Sequence, residues 1–240
     1  MGWVAMSMSS VIALRDVWKR YGAEYVLEGI DLEVKRGSVV CIRGRSGIGK
    51  TTLVKIAALL IPPDRGEVYL NNVRVEYRKR SRVSELRLRY IGYVPQTFDL
   101  IESLTVRENI ELPMIFLGIP KSERVKRVEA LLKALELEDL GDRFPRELSG
   151  GQQQRVAIAR ALAKDPLLIV ADEPFSNLDD YSVERVLQLF HSMARSGKAV
   201  IITTTDMYED YGCSENYLLN RKLYPLNLTE STHAQRYYTP

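Results

Sequence analysis

Apolar residues recur along this chain with two different periods, and the switching between them lays out its elements. Residues 11–18 and 25–34 read as strands, the second alternating through Val26, Leu27, Ile30, Leu32 and Val34. Gly37 turns the chain into residues 38–42, a continuous apolar run of the kind buried on both faces of a sheet. A glycine-rich stretch from Gly44 to Gly49 follows, then a helical pattern over 53–61 that Pro62 and Pro63 end. Residues 67–75, broken by Asn71-Asn72, predict a hairpin with a tight turn, and 90–94 another short strand. Helical spacing takes over from 105 to 137, with Val125, Val128, Leu131, Leu132 and Leu135 recurring on one face. A further helix, rich in Gln, Arg and Ala, spans 149–163. Parallel-type strands return at 167–170 and 199–203, flanking a helix at about 181–194. A last hairpin over 217–226 turns around Asn220-Arg221-Lys222 and leads into a polar tail. Strands alternating with helices predict an α/β core, into which a helical block at about 97–164 is inserted. There is no internal repeat and no low-complexity linker.

The length of 240 residues suffices for one sizeable core, or a core with a smaller appended subdomain. The 45% hydrophobic and 27% charged fractions are those of an ordinary soluble globular protein. A net charge of +3 gives no argument for nucleic acid. The basic excess is local: Arg78, Lys79, Arg80, Arg82, Arg87 and Arg89 crowd one segment, which reads as a solvated face or, less often, a contact with anionic lipid or a partner. Cys41 and Cys213 are the only cysteines, too far apart in sequence to suggest a disulfide framework, so Cys41 reads as a buried structural thiol in a reducing cytosol. No run approaches the ~18–20 apolar residues that a membrane span needs. Residues 1–10 lack the charge and apolar core of a signal peptide, and Met6 or Met8 is an alternative start. Asn227-Leu228-Thr229 matches a glycosylation acceptor that a cytosolic location leaves idle. If the protein works at a membrane, another chain must cross the bilayer.

Candidate chemistry begins at Gly44-Arg45-Ser46-Gly47-Ile48-Gly49-Lys50-Thr51, which matches G-x-x-x-x-G-K-[ST] at every fixed position. The glycines, Gly44, Gly47 and Gly49, let the backbone around Ser46 curl so that its amides form an anion nest, and the helix that follows adds its positive end. Lys50 is a mobile cation for β- and γ-phosphate oxygens. Thr51, with Thr52 beside it, offers a hydroxyl to Mg²⁺. The preceding apolar strand and following helix are the context this motif demands, which sets it apart from an ordinary glycine turn.

A second apolar strand, Leu167-Leu168-Ile169-Val170-Ala171, ends in Asp172 and Glu173. Adjacent residues there point in opposite senses, so Asp172 is assigned to holding Mg²⁺ through its water shell and Glu173 to polarising the attacking water. Ser149-Gly150-Gly151-Gln152 opens a helix with a hydroxyl, bare amides and a helix dipole converging on one point. Alone, that would be an ordinary serine cap.

Ser149-Gly150-Gly151-Gln152-Gln153-Gln154-Arg155 followed by Ala171-Asp172-Glu173-Pro174 resembles the signature and Walker B motifs of ABC ATPases, and the likeness runs from about residue 10 to 225. Leu104-Thr105-Val106-Arg107-Glu108-Asn109 and the triple Gln are most similar to the subgroup that drives lipoprotein release and macrolide export. The resemblance implies a P-loop NTPase (RecA-like) core with an N-terminal antiparallel β subdomain and an inserted α-helical signature subdomain. As one domain over 9–240, it divides into a core with β subdomain at 9–96 and 165–226, a helical part at 97–164 and a polar tail at 227–240. It also implies roles for single residues. Tyr21 matches the aromatic position that stacks on adenine. Gln96 matches the Q-loop glutamine that touches Mg²⁺ and the attacking water and links to the membrane partner. Ser149, Gly150, Gly151 and Gln152 match the signature that meets the γ-phosphate of ATP held by the opposite subunit, and Asp179 the D-loop aspartate that speaks across the dimer. Two nucleotides would thus bridge a head-to-tail homodimer, or a heterodimer with another ABC ATPase subunit. ATP and Mg²⁺ are the implied cofactors. A transmembrane permease is the implied partner, with the subunit peripheral on the inner face of the cell membrane.

One position departs from the family pattern. The switch loop normally carries a histidine before an aspartate, but Ile201-Ile202-Thr203-Thr204-Thr205-Asp206 puts Thr205 in its place, and neither His191 nor His233 is positioned to substitute. A neutral hydroxyl cannot supply the charge stabilisation of an imidazole, worth roughly 10²–10³-fold in kcat at such sites. The expected ATPase is therefore one that binds ATP and dimerises but hydrolyses slowly alone. Two other readings stay open: a non-hydrolysing ATP-dependent clamp, and a soluble ABC ATPase of DNA repair, chromosome handling or translation. The second usually carries a long coiled coil or two cassettes, and neither is in this sequence.

Overall fold

The computed structural model describes residues 9–228. Met6, Met8, Thr229 of the glycosylation triplet, His233 and most of the polar tail lie outside them.

The chain begins with two long strands, β1 (Ser10–Tyr21) and β2 (Glu24–Lys35), then β3 (Val39–Arg43) and α1 (Lys50–Ala57). Next come β4 (Arg65–Leu70), β5 (Val73–Arg74), α2 (Arg80–Tyr90) and β6 (Ile91–Val94). Three helices follow, α3 (Val106–Phe116), α4 (Lys121–Ala134) and α5 (Gly150–Leu162). The chain closes with β7 (Leu168–Asp172), α6 (Asp180–Arg195), β8 (Ala199–Thr204), β9 (Glu215–Asn220) and β10 (Lys222–Pro225). One sheet has the order β2-β1-β4-β5 and is antiparallel. The other has the order β10-β9-β3-β8-β7-β6, parallel except for β10.

Period-two alternation in the central strands divides the apolar side chains between two cores. Val40, Ile42, Leu168, Val170, Ala199 and Ile201 join α1 and the antiparallel sheet. Their neighbours Val39, Cys41, Ile169, Ala171, Val200 and Ile202 face the side covered by α3 to α6. Each fully buried Val, Leu or Ile among them contributes about 1.5–3 kcal/mol against exposure. Strands covered on both faces are fixed in register, so the loops at their C-terminal ends hold still relative to one another. Gly44, Gln96, Glu173 and Thr205 all leave that edge, where open parallel sheets bind ligands.

The Asn71-Asn72 turn forms as the sequence requires, with φ of 49° and 63° at the two residues. Elsewhere the structure corrects the sequence. The helix expected over 105–137 is two helices, because Gly118 takes φ 70° and Pro120 opens a new start. The first is capped by Thr105, which accepts from the Glu108 amide while the Glu108 carboxylate accepts from the Thr105 amide at 2.8 Å. α1 stops before its prolines, at Ala57, since Leu59 turns left-handed at φ 57°. The basic run is largely helical, as α2, and buries only Val83, so it shows no apolar stripe. Cys41 is not a free thiol: it is joined to Cys213, with Cα atoms 5.9 Å apart across 172 residues of sequence. Parallel pairing of β9 with β3 delivers Cys213, just ahead of β9, to the flank of Cys41.

Candidate functional site

The loop between β3 and α1 is a cradle shaped by missing side chains. A Cβ at Gly44 would come within 2.9 Å of the Leu219 carbonyl, so the backbone can pass only as glycine. Gly49, at φ 108°, turns the chain into α1, whose first amides have no side-chain cap and whose first turn carries no acidic residue. Those amides and the helix dipole are open to an anion. Lys50 is nearly buried. Its Nζ donates to the carbonyls of Gly44 at 2.7 Å and Arg45 at 3.0 Å and lies 3.1 Å from Glu173 Oε1. Ser46 and Gly47 are exposed on the loop, Thr51 is half-buried and Thr52 buried behind it.

The ends of β7 and β8 bring the carboxylates to that lysine. Glu173 adopts φ 48°, a left-handed conformation that costs a glutamate roughly 1–3 kcal/mol and needs support. Support comes from Thr203, whose Oγ1 accepts from the Glu173 amide at 3.1 Å, and from Ser176, which donates to the Glu173 carbonyl. The same Thr203 hydroxyl donates to Asp172 Oδ1 at 2.7 Å. Asp172 Oδ2 is buried with no partner. The Thr205 amide donates to Glu173 Oε2 at 3.0 Å, whereas its hydroxyl stands at 3.5 Å, the limit of a hydrogen bond. Thr205 thus grips Glu173 through its backbone. Across the β6–β7 pairing, burial pushes the Tyr93 phenol well above its ordinary range, and the negative charge of Asp172 adds to the effect.

The remaining sequence candidates lie at the starts of α5 and α6, in the loop after β6 and at the end of β1. Ser149 caps α5, accepting from the Gln152 amide at 3.3 Å, while Gln152 Oε1 accepts from the Ser149 amide at 2.8 Å. Gly150 and Gly151 follow, and a Cβ at Gly151 would lie 2.8 Å from the Asn177 carbonyl, so the signature turn and the Asn177 loop pack backbone to backbone. Asp179 caps α6 by accepting from the Ser182 amide at 2.8 Å, which holds its carboxyl below the usual range. Gln96 is exposed after β6. Its loop is tied to α5 by Arg160, which donates to the carbonyls of Phe98 at 2.7 Å and Asp99 at 2.5 Å. Tyr21 stands 56% exposed at the end of β1.

Thr203, Arg160 and Arg43 work in or around this site and were not singled out from sequence. A polar residue closing an apolar parallel strand is the signal that marks two of them: Arg43 at the end of β3 and Thr203 near the end of β8.

The residues fit a magnesium–polyphosphate group. A glycine cradle with free helix amides suits phosphate, and a buried carboxylate oxygen without a partner suits a cation's shell. Among the described residues there is no cluster of three or more His, Cys, Asp or Glu that would cage a metal. Mg²⁺ is typically held by one or two carboxylates together with substrate phosphates.

Comparison with known proteins agrees with the geometry. The ABC transporter family model matches residues 27–176. An uncharacterized ABC transporter ATP-binding protein of Thermotoga maritima is 45% identical over 207 residues, 83% of this chain and 87% of the relative. The lipoprotein-releasing system ATP-binding protein LolD of Aquifex aeolicus is 43% identical over 197 residues, 82% of this chain and 88% of its own. The macrolide export ATP-binding/permease protein MacB of Brucella melitensis is 43% identical over 83% of this chain, which is 31% of MacB. In structure, the dimeric ABC transporter cassette MJ0796 of Methanocaldococcus jannaschii superposes with a TM-score of 0.86 at 38% identity, covering 91% of this chain and 99% of that one. A second structure of that cassette, in a post-hydrolysis state bound to ADP and Pi, has a TM-score of 0.83 at 37% identity, with the same coverage.

Proposed function

The chain belongs to the ABC transporter family, as an ATP-binding subunit of the LolD and MacB type, and from that premise we propose that it hydrolyses Mg-ATP to drive a separate transmembrane permease. The observation that carries this reading is the convergence of Lys50, Asp172 and Glu173 at one edge of the parallel sheet. Lys50 exchanges its carbonyl and carboxylate partners for β- and γ-phosphate oxygens of bound ATP. Thr51 and Asp172 would hold Mg²⁺, with Gln96 completing its shell. The ion would supply positive charge to the phosphates. Glu173, released from Lys50, orients the attacking water and accepts its proton, while the Thr205 amide keeps the carboxylate aimed. Tyr21, exposed at the end of β1, would offer its ring to adenine.

The helical part over 97–164 carries Ser149 to a second copy, and the core over 9–96 and 165–226 carries the phosphate cradle. Each copy would close over the other's γ-phosphate from the Ser149 side, with Asp179 at the seam, so ATP would hold the two together and hydrolysis would release them. MJ0796 is dimeric, which supports a homodimer here. Thr205 in place of a histidine slows the chemical step. That same substitution favours one second reading, an ATP-dependent clamp with negligible turnover. Among the described residues no helix is long and apolar enough to cross a membrane, so contact with the bilayer's inner face would come through the permease.

The test is whether the purified chain binds a fluorescent ATP analogue with Mg²⁺ and doubles in mass when ATP is added. Binding with dimerisation and slow turnover is expected. Absence of Mg-ATP affinity sinks the proposal, and binding without turnover leaves the clamp. Recovery of a multi-span protein with the chain from solubilised membranes tests the partner.

A further inference from the structure

Arg43 is the last residue of β3, directly before the phosphate loop, and it is wholly buried. A guanidinium in such a place needs partners for its donors. Two of them reach backbone: Nη1 donates to the Asp206 carbonyl at 2.8 Å and Nη2 to the Glu209 carbonyl at 2.6 Å. Nε donates to Asn216 Oδ1 at 3.3 Å, and the guanidinium carbon lies 5.3 Å from the centre of the Tyr211 ring. Burial pushes the Arg43 pKa down, and the charges of Tyr211, Asp206, Asp210 and Glu209 act against that.

Three of these contacts fall on the loop that begins at Thr205. Asp206 holds that loop further, its carboxylate accepting from the amides of Tyr208 and Glu209 at 2.8 Å each. Tyr211 in turn packs on Phe175, ring centres 4.9 Å apart, two residues beyond Glu173. The side chain therefore joins the strand that feeds the phosphate loop to both segments flanking the Thr205–Glu173 hydrogen bond.

We infer that Arg43 is a positioning residue for hydrolysis, clamping the loop after Thr205 so that the Thr205 amide stays on the Glu173 carboxylate. The inference rests on the proposed role of Glu173. With no imidazole at the switch position, and with Lys50 drawn to the phosphates, the Thr205 amide is the hydrogen bond that keeps Glu173 aimed, and a backbone amide is only as well placed as its loop.

Arg43→Met keeps the length of the side chain and removes its donors. Arg43→Lys keeps the charge but cannot reach both carbonyls at once. Hydrogen exchange of the 205–211 amides and steady-state ATPase are measured on both variants and the wild type. For Arg43→Met we expect exchange at 205–211 to rise about tenfold. We expect kcat to fall about 10–100-fold with KM for ATP within about twofold, the sign of lost aim rather than lost binding. Arg43→Lys should lie between, and it carries the test if Arg43→Met does not fold. Unchanged exchange overturns the clamp. Faster exchange with unchanged kcat overturns the catalytic role and leaves Arg43 as a structural staple. A wild type without turnover sinks the proposed function and with it the catalytic half of the inference, while the exchange comparison still decides the clamp.

Discussion

Lys50 and Glu173 are each other's counter-ion: Nζ lies 3.1 Å from Oε1, and both side chains are almost shielded from water. The cation that should receive phosphate and the carboxylate that should activate water thus neutralise one another in this structure. Such a pair is costly to break one-sidedly, because the survivor is left charged and buried.

On the proposed mechanism, phosphate competes with Glu173 for Lys50. In Glu173→Gln that competition is gone, and so is the proposed proton acceptor. ATP should bind more tightly while turnover falls by about 10²–10⁴-fold. Parallel measurement of ATP affinity and ATPase checks this, and wild-type turnover in the variant would remove Glu173 from the mechanism.

At the neighbouring position, Thr205→His restores a group able to carry charge beside the Glu173 carboxylate. ATP hydrolysis should accelerate, by up to about 10²-fold. A variant no faster than wild type means that the threonine is not what limits the reaction.

Gly151→Ala places a Cβ 2.8 Å from the Asn177 carbonyl, and backbone there cannot yield cheaply. Overpacking of this kind costs about 1–3 kcal/mol. We expect ATP-dependent dimerisation to weaken about tenfold or more while a single copy binds ATP as before. Sedimentation with and without nucleotide distinguishes the two effects.

Lys164 donates to the Arg87 carbonyl at 3.1 Å from a half-buried position. Burial, with the nearby Arg87 charge, brings its pKa down from 10.5 to about 8. Between those values the folded chain has shed a proton that the unfolded chain keeps, so stability from this residue rises with pH through the window. Below pH 8 the buried charge is a constant cost. Lys164→Met should raise the thermal midpoint at pH 7.5 and flatten its change up to pH 10 relative to wild type. Parallel curves would remove Lys164 as the source.

What could be read from sequence is what is local. The glycine loop before Lys50, the Asp172-Glu173 pair and the Ser149 cap each need particular residue types within a few positions, so the pattern alone points to the places where the structure sets them. The Asn71-Asn72 hairpin was legible for the same reason. Arg43 was not, since its partners lie 163 and 166 residues on and only sheet topology brings them together. Thr203, 31 residues from Asp172, looked like the end of an apolar strand. α2 buries a single apolar residue and so gives no periodic signal, whereas the helical spacing on either side of Gly118-Ile119-Pro120 masked a break.

The Cys41–Cys213 bond makes a closed covalent ring of everything between the two sulfurs. The phosphate loop, Asp172, Glu173, Ser149 and Thr205 lie on that ring, while β1, β2, β9 and β10 lie on the two tails outside it. A protease that cuts once at the turn after α3 opens the ring without parting it, and the fragments separate on a denaturing gel only after a reductant is added. The nicked molecule then has four chain ends, two of them new and inside the helical region, with the phosphate loop, Asp172, Glu173 and Thr205 still held on one covalently joined string.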